Sequence, residues 1–234
     1  MYSILIFSGL DETGNLVFVG SYKRGIPYGR CFVAKEGQGW LYGEVDSRGR
    51  FSGENLIYLY PDLHTAILGC FENDRLIEAR SAFILGAEVD PKTHILGLEV
   101  SHPKPDSPAY TYSPSNSQSI PCDWTLEDCY EKVTLYSVKS KLEGAGDGLF
   151  AKRDLPANTV ISYYNGLHIE ADETYQSSNH NYQIYVDWSN TESSPYIDIP
   201  NECIELSNYK ASLAHKANHS FNPNCKFVSV DHPR

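Results

Sequence analysis

The stretch Phe18-Val-Gly-Ser-Tyr-Lys-Arg-Gly-Ile-Pro-Tyr-Gly29 decides how the first hundred residues fold. Apolar positions alternate through this region, and glycines punctuate the alternation. Alternation with a period of two is typical of a strand with one buried face, while glycine reaches the positive φ angles of tight turns. The stretch therefore predicts a β-hairpin.

Related triplets recur along residues 1–100. Gly20-Ser21-Tyr22, Gly43-Glu44-Val45 and Gly69-Cys70-Phe71 start 23 and then 26 residues apart, and Gly29 and Gly53 form a second series with a spacing of 24. Periods in the twenties indicate a stacked supersecondary unit, here a hairpin with glycines at turn positions of positive φ. The stretch at 18–29 resembles a MORN repeat, and the later copies are degenerate. The alternative is an ordinary β-meander rich in glycine.

Composition excludes several classes of protein. A formal net charge of -11 should repel nucleic acid and favour basic partners. No apolar run approaches the roughly 20 residues that a membrane span requires, and the start lacks the basic region of a secretion signal. The six cysteines include no C-x-x-C pair, which disfavours a zinc cage or a disulfide framework.

A connector and a second domain are expected after residue 100. His102 to Pro121 holds five of the 13 prolines, which predicts an extended connector over residues 101–130. Within it we predict a short helix at Asp123 to Tyr130, with Asp123 as N-cap. The second domain then spans residues 131–234, and Thr159 to Ile169 is β-branched and aromatic enough for a strand.

The segment His215-Lys-Ala-Asn-His-Ser-Phe-Asn-Pro-Asn-Cys225 is the most specific motif in the chain. The two histidines, four residues apart, could share one helix face and bind zinc, but the segment lacks the glutamate of the zinc motif. At Asn218, His219, Ser220, Pro223 and Asn224 it resembles the Asn-His-Ser-x-x-Pro-Asn signature of the SET-domain lysine methyltransferases. That resemblance implies that Asn218 and His219 bind S-adenosylmethionine, with Lys216 lining the same pocket.

Two further segments extend the resemblance over residues 131–234. Glu143-Gly-Ala-Gly-Asp-Gly-Leu-Phe150 is a glycine-rich strand-turn-strand, and in the family this loop contacts the cofactor, which carries over to Ala145, Gly146 and Asp147. In Ser162-Tyr-Tyr-Asn-Gly166, Tyr164 matches a tyrosine that hydrogen-bonds the amine of the substrate lysine. Asn181 falls where relatives place a polar residue near the cofactor. Each segment alone also fits a purely structural reading.

The chemistry of methyl transfer explains these residue types. Transfer from a sulfonium to an amine is an in-line displacement, so the protein must orient the reactants, exclude water and let the amine lose its proton. The lysine pKa is near 10.4 in water, and an apolar channel lined with tyrosines lowers it. Neither an enzyme nucleophile nor a metal is needed.

The whole chain resembles the MORN-plus-SET histone lysine methyltransferases. The resemblance implies a mainly β fold, with a MORN-repeat hairpin sheet followed by an incomplete SET-domain β fold. It also implies a basic substrate such as the histone H3 tail, no direct nucleic-acid or membrane binding, a monomeric state, and location in the nucleus on chromatin, with the cytoplasm as a second compartment.

Two departures from the family bear on activity. Phe227 stands where relatives have an active-site tyrosine, and the removal of one hydroxyl frees space beside the amine. The family continues past the equivalent of Arg234 with a catalytic tyrosine and a closing segment, so the 234-residue chain is expected to have impaired activity. The alternative functions are a non-catalytic relative that binds basic peptides, or a MORN scaffold.

Overall fold

The computed structural model describes residues 5–12, 14–35, 39–93, 95–112, 123–169, 182–185 and 196–228. The described residues up to 112 belong to one compact unit and those from 123 onward to a second. The first unit is built mainly of β-strands, and the described part of the second contains more strand than helix, which confirms the predicted mainly β fold class. Across these described ranges, no helix is long and apolar enough to cross a membrane.

The first unit is a single antiparallel sheet in which most strands pair with their sequence neighbours. Strands β1 to β8 follow chain order across the sheet, and β9 pairs with β7. The strands are β1 (Leu5–Leu10), β2 (Leu16–Lys23), β3 (Ile26–Lys35), β4 (Gly39–Glu44), β5 (Gly53–Leu59), β6 (Thr65–Glu72), β7 (Arg75–Val89), β8 (Leu96–Val100) and β9 (Ala109–Thr111).

The hairpin predicted from residues 18–29 is present as β2 and β3. Its turn residues Arg24 and Gly25 have φ angles of 56° and 80°, and Asn73 and Asp74 repeat this pattern between β6 and β7 with 52° and 69°. Two consecutive positive φ angles give a turn whose twist matches that of the flanking strands. The turn residues therefore favour the strand twist seen in both hairpins.

The glycines of the first repeat series have a role other than the predicted one. Gly20, Gly43 and Gly69 lie inside strands β2, β4 and β6, not at turns, and of the three only Gly43 has the predicted positive φ, at 145°. A Cβ added at Gly20 would lie 2.8 Å from the Cys31 sulfur, and one at Gly69 would lie 2.0 Å from the Glu78 carbonyl oxygen. These positions exclude any side chain because neighbouring strands approach too closely.

Bulges accompany two of these glycines. The pairing register shifts between Val19 and Ser21 and again between Cys70 and Phe71. A bulge bends a strand and increases its twist. Gly20 and Gly69 therefore lie at or beside irregularities in the pairing of their strands.

Alternating side chains of the sheet form the core of the first unit. One buried cluster of this unit consists of Phe32, Tyr42, Ile57, Leu59, Ala66 and Ala82. The Tyr42 hydroxyl donates a hydrogen bond to the Leu96 carbonyl oxygen at 2.8 Å, which ties β4 to β8. This tie joins strands that are 54 residues apart in sequence.

The sheet continues into the stretch that was predicted as a connector. Strand β9 pairs through Tyr110 with Ala79 of β7, so part of residues 101–130 belongs to the first unit. Residues 113–122 lie outside the described ranges. The predicted domain limits at 100 and 131 stay predictions.

In its described residues, the second unit combines one short α-helix with two small sheets. Its elements are α1 (Cys129–Thr134), β10 (Leu135–Lys139), β11 (Asp147–Ala151), β12 (Leu167–Ile169), β13 (Ile184–Tyr185), β14 (Tyr196–Asp198) and 3-10 turns at Asn201–Cys203 and Ala214–Lys216. Strands β10 and β11 form an antiparallel hairpin, and β14 lies between β12 and β13.

The predicted position of the helix was wrong. Helix α1 begins at Cys129 and is capped by Asp128, whose side chain accepts hydrogen bonds from the backbone N-H groups of Tyr130 and Glu131. Asp123 instead accepts from the N-H and hydroxyl groups of Thr125 in a local turn. Both aspartates suit such bonds, and the sequence alone did not separate the two caps.

The strand predicted over Thr159 to Ile169 is also shorter than expected. Only Leu167–Ile169 forms a strand. The N-H group of Tyr163 donates to the Glu131 side chain and its carbonyl oxygen accepts from the Ser212 hydroxyl. Because these side chains bond both the N-H group and the carbonyl oxygen of Tyr163, this residue does not pair with a neighbouring strand.

Candidate functional site

The glycine-rich loop joins β10 to β11 and begins the candidate site. Gly144 and Gly146 have φ angles of 78° and 65°, in the region that glycine enters without strain. The Ser140 N-H group donates to the Gly146 carbonyl oxygen at 2.9 Å, which closes the loop. Ala145 and Asp147, the other two residues predicted here, therefore lie on a defined turn at the start of β11.

Lys216 lies against this strand from the C-terminal segment. Its side chain is only 5% exposed, and its Nζ atom lies 3.7 Å from the Asp147 carboxylate. The same ammonium donates to the Ile204 carbonyl oxygen at 2.7 Å. A buried ammonium needs such compensation, so the pair joins two segments that are 69 positions apart.

Asn218 lies beside the same hairpin. A Cβ added at Gly148 would come within 3.2 Å of the Asn218 side-chain nitrogen. The absence of a side chain at Gly148 therefore leaves room for this amide. Asp147, Lys216 and Asn218 are thus brought together around the start of β11.

Two other residues, His219 and Asn181, were also predicted to bind the cofactor. His219 is exposed, and its ring contacts Phe221 edge-on at a centroid distance of 5.1 Å. Asn181 lies outside the described residues. The cofactor roles of both residues stay predictions.

The predicted substrate-binding residues Tyr164 and Phe227 lie together. Their ring centroids are 5.5 Å apart with an interplanar angle of 86°. The Tyr164 hydroxyl donates to the Tyr182 carbonyl oxygen. Since the phenolic proton is directed at this carbonyl, the lone pairs of the Tyr164 oxygen are available to accept a hydrogen bond from a substrate amine.

The surroundings of Tyr164 keep its hydroxyl protonated. Burial raises its pKa well above the ordinary value, and the negative charge of Asp198 adds to the rise. A phenol in this state is a neutral hydrogen-bonding group and not a base at physiological pH. Tyr164 can therefore orient an amine but does not remove its proton.

Tyr182 connects the aromatic pair to the charged residues. Its ring also contacts that of His215 at a centroid distance of 6.1 Å. Burial raises the Tyr182 pKa, with further contributions from the charges of Glu205 and Asp147. Because His215 belongs to the turn that ends at Lys216, the ring contact brings Tyr182 next to the segment that carries the charged residues.

His215 is the residue at the site that the sequence analysis considered only as a zinc ligand. It is 6% exposed, lies between the rings of Tyr182 and Tyr209, and neither ring nitrogen has a hydrogen-bond partner in the described part of the chain. The 3-10 turn that holds it ends at Lys216, so the histidines at 215 and 219 share no helix face. Among the described residues there is no group of three or more side chains suited to a metal ion.

We predict that His215 makes stability fall in mild acid. Burial, followed by the neighbouring charge of Lys216, lowers its pKa from 6.5 to about 4. The unfolded chain therefore binds a proton at pH values where the folded chain does not, and stability falls as the pH drops from 6.5 towards 4. The expected loss by pH 5 is about 2 kcal/mol.

Urea unfolding at pH 7 and pH 5 measures this contribution. In His215→Leu, which has similar volume and no titrating group, the stability lost between the two pH values should be about 2 kcal/mol smaller than in the wild type. His102→Leu, a change at an exposed histidine of the first unit, is the control and should behave like the wild type. An equal pH dependence for His215→Leu and the wild type would refute the prediction.

Comparison with known proteins gives matches in both units. Residues 22–94 match a family described as histone H3 K4-specific methyltransferase SET7 N-terminal, and residues 146–234 match the SET domain. The chain is 36% identical to histone-lysine N-methyltransferase SETD7 of Halocynthia roretzi over 234 aligned positions, which cover 96% of this chain and 57% of that relative. The chain thus spans little more than half of the relative's length.

Proposed function

Because the chain belongs to the SET7-like proteins, which join a SET7-type N-terminal region to a SET domain, we propose that it forms part of a protein lysine methyltransferase. The observation that carries this proposal is the meeting of two groups of residues. Asp147, Lys216 and Asn218 surround the start of β11. Tyr164 and Phe227 form an aromatic pair, and Tyr182, whose carbonyl oxygen accepts the Tyr164 hydrogen bond, contacts the ring of His215 beside Lys216.

The charged group fits a zwitterionic cofactor with a hydroxylated sugar. Lys216 offers an ammonium to a carboxylate, Asp147 offers a carboxylate to an ammonium or hydroxyl, and Asn218 offers both a donor and an acceptor. The turn at Ala145 and Gly146 leaves open space beside the backbone, since a Cβ added at Gly146 would meet no atom within 4 Å. We propose that these residues, together with Asn181 and His219, hold S-adenosylmethionine, which supplies a methyl group on a positively charged sulfur when bound.

The aromatic group fits a lysine side chain. Phenyl and phenol rings exclude water, so a lysine ammonium loses hydration and its pKa falls toward the neutral form. The oxygen of Tyr164 accepts a hydrogen bond from the amine and turns the nitrogen lone pair toward the methyl donor. The chain's role is therefore to orient and dehydrate the amine.

The charge of the chain supports a basic substrate. A net charge of -11 attracts peptides rich in lysine and arginine and raises their encounter rate at low ionic strength. We propose the histone H3 tail as a substrate of this chemistry. A histone substrate implies that the protein acts in the nucleus, on chromatin.

Cofactor titration tests the proposal through His219. We expect the full-length protein to bind S-adenosylmethionine, and His219→Ala to weaken that binding about tenfold, the effect of one lost hydrogen bond to a charged ligand. Isothermal titration calorimetry measures both affinities. His102→Ala, at an exposed histidine of the first unit, is the matched control. Equal affinities for wild type and His219→Ala would remove this histidine from the site.

Phe227 should determine how many methyl groups one lysine receives. A phenyl ring next to Tyr164 holds no water by hydrogen bonding, so a monomethylated amine has space to turn and react again. We expect the wild type to form dimethyl-lysine and Phe227→Tyr to stop mainly at monomethyl-lysine. Mass spectrometry of a methylated peptide measures the ratio of dimethyl-lysine to monomethyl-lysine.

The control for this prediction is Phe221→Tyr. Phe221 belongs to the same segment but is fully exposed, with a relative accessibility of 101% against 57% for Phe227. The Phe221→Tyr substitution should leave the ratio of dimethyl-lysine to monomethyl-lysine unchanged. Strict monomethylation by the wild type, unaltered in Phe227→Tyr, would contradict the proposed effect of the missing hydroxyl.

A further inference from the structure

A buried carboxylate on helix α1 joins the two segments that carry the candidate site. Glu131 is 1% exposed. Its Oε1 atom accepts a hydrogen bond from the Ser162 hydroxyl at 2.6 Å and another from the Tyr163 N-H group at 3.2 Å. Its Oε2 atom accepts from the Leu213 N-H group at 2.7 Å. One side chain thus bonds segments that are 31 and 82 residues away.

Both segments lead directly into residues of the site. Tyr163 precedes Tyr164, and Leu213 precedes the 3-10 turn Ala214–Lys216. The Ser212 hydroxyl also donates to the Tyr163 carbonyl oxygen, so the two segments are bonded to each other beside the carboxylate. A displacement at Glu131 would therefore shift the aromatic group and the charged group together.

We propose that Glu131 is a positioning residue, which holds Tyr164 and Lys216 in register through the backbone segments before them. The proposal rests on the proposed function for its effect on turnover. The burial of a carboxylate costs several kcal/mol unless hydrogen bonds compensate, and the three donors supply that compensation. A residue with this cost and these partners fixes one arrangement of the segments.

The three hydrogen-bond donors around residue 131 require a carboxylate there and not an amide. A carboxylate accepts at both oxygens, whereas glutamine carries one oxygen and one NH2 group. If the NH2 group replaces Oε2, the Leu213 N-H group loses its acceptor. If it replaces Oε1, the Ser162 hydroxyl can reverse and accept, but the Tyr163 N-H group remains unbonded. In either orientation Glu131→Gln leaves one buried backbone N-H group without a partner, at nearly unchanged volume.

Three variants test the proposal on the full-length protein. Glu131→Gln should lower kcat per active site and weaken S-adenosylmethionine binding, each about tenfold, because Tyr164 and Lys216 both lose support. Ser162→Ala removes only the hydroxyl donor and should change each quantity less than threefold. Tyr130→Phe is the stability control, since it deletes a bond from α1 to the Val160 carbonyl oxygen at 2.9 Å, four residues before Tyr164, and leaves both the Glu131 bonds and the Leu213 segment in place.

Amide hydrogen exchange gives a readout that does not depend on activity. In Glu131→Gln the amide of Tyr163 or Leu213 should exchange at least tenfold faster than in Tyr130→Phe, compared at equal global stability. Wild-type kcat and affinity in Glu131→Gln, or equal losses in Tyr130→Phe, would overturn the positioning role. If the wild type transfers no methyl group, the proposed function fails, and the exchange rates alone decide whether Glu131 anchors the two segments.

Discussion

Tyr164→Phe should reduce the rate of methyl transfer on the order of 100-fold, the effect typical of losing one aligned polar group in an active site. The phenol oxygen is the acceptor that directs the amine, and its proton is held by the Tyr182 carbonyl oxygen. Phenylalanine keeps the ring contact with Phe227 but removes this acceptor. We therefore expect the loss in kcat, with little change in S-adenosylmethionine affinity.

Steady-state kinetics with a lysine peptide measure this effect. Tyr130→Phe is the matched control because it also removes a tyrosine hydroxyl that donates to a backbone carbonyl oxygen. It should lower stability by about 1 kcal/mol without a comparable loss of kcat. A Tyr164→Phe enzyme as fast as the Tyr130→Phe control would exclude Tyr164 as the group that orients the amine.

Gly69→Ala should destabilise the first unit by about 3 kcal/mol or more, because the sheet has no room for a methyl group there. The new Cβ would lie 2.0 Å from the Glu78 carbonyl oxygen and 2.4 Å from the Ala79 Cα atom. Both are backbone contacts, so relief requires that strands β6 and β7 separate locally. Urea unfolding followed by the fluorescence of Trp40, which packs on the core of this unit, measures the loss.

Gly97→Ala is the control for this substitution. Gly97 also lies in a strand, but a Cβ there would meet its nearest atom at an ordinary 3.6 Å. We expect a change within about 1 kcal/mol, since an alanine fits and restricts the unfolded chain. A similarly small change in Gly69→Ala would show that the repeat glycine is not required by close packing.

The hairpin sheet was predictable because its signals are local. The turn residues near Gly25 and the alternation around them specify one hairpin, and the spacing of Gly20, Gly43 and Gly69 revealed its repetition. The role of these glycines was not predictable in the same way. Whether a Cβ collides depends on the neighbouring strand, and that distance is fixed only when the sheet forms.

The candidate site was partly predictable because its residues fall in recognisable motifs. The sequence named Asp147, Lys216 and Tyr164, and the structure brings Asp147 and Lys216 within 3.7 Å. Nothing local indicated Glu131 or His215. Glu131 acts on a residue 82 positions away, and the low pKa of His215 arises from burial among rings contributed by distant segments.

The position of helix α1 could not be predicted from the local sequence alone. Asp123 and Asp128 are equally good N-caps by residue type. The structure selects Asp128, which places Glu131 in the first turn of the helix, directed at Ser162 and Leu213. The helix position is therefore set by the tertiary bonds of one carboxylate and not by the cap alone.

Methyl transfer measured on an intact peptide tests the central claim most directly. The full-length protein, a histone H3 tail peptide and S-adenosylmethionine with a deuterated methyl group are incubated and analysed by mass spectrometry. We predict a labelled methyl group on a lysine nitrogen, its absence when that lysine is replaced by arginine, and its near loss in Tyr164→Phe. No labelled lysine in any basic peptide, from folded protein that binds the cofactor, would contradict the account.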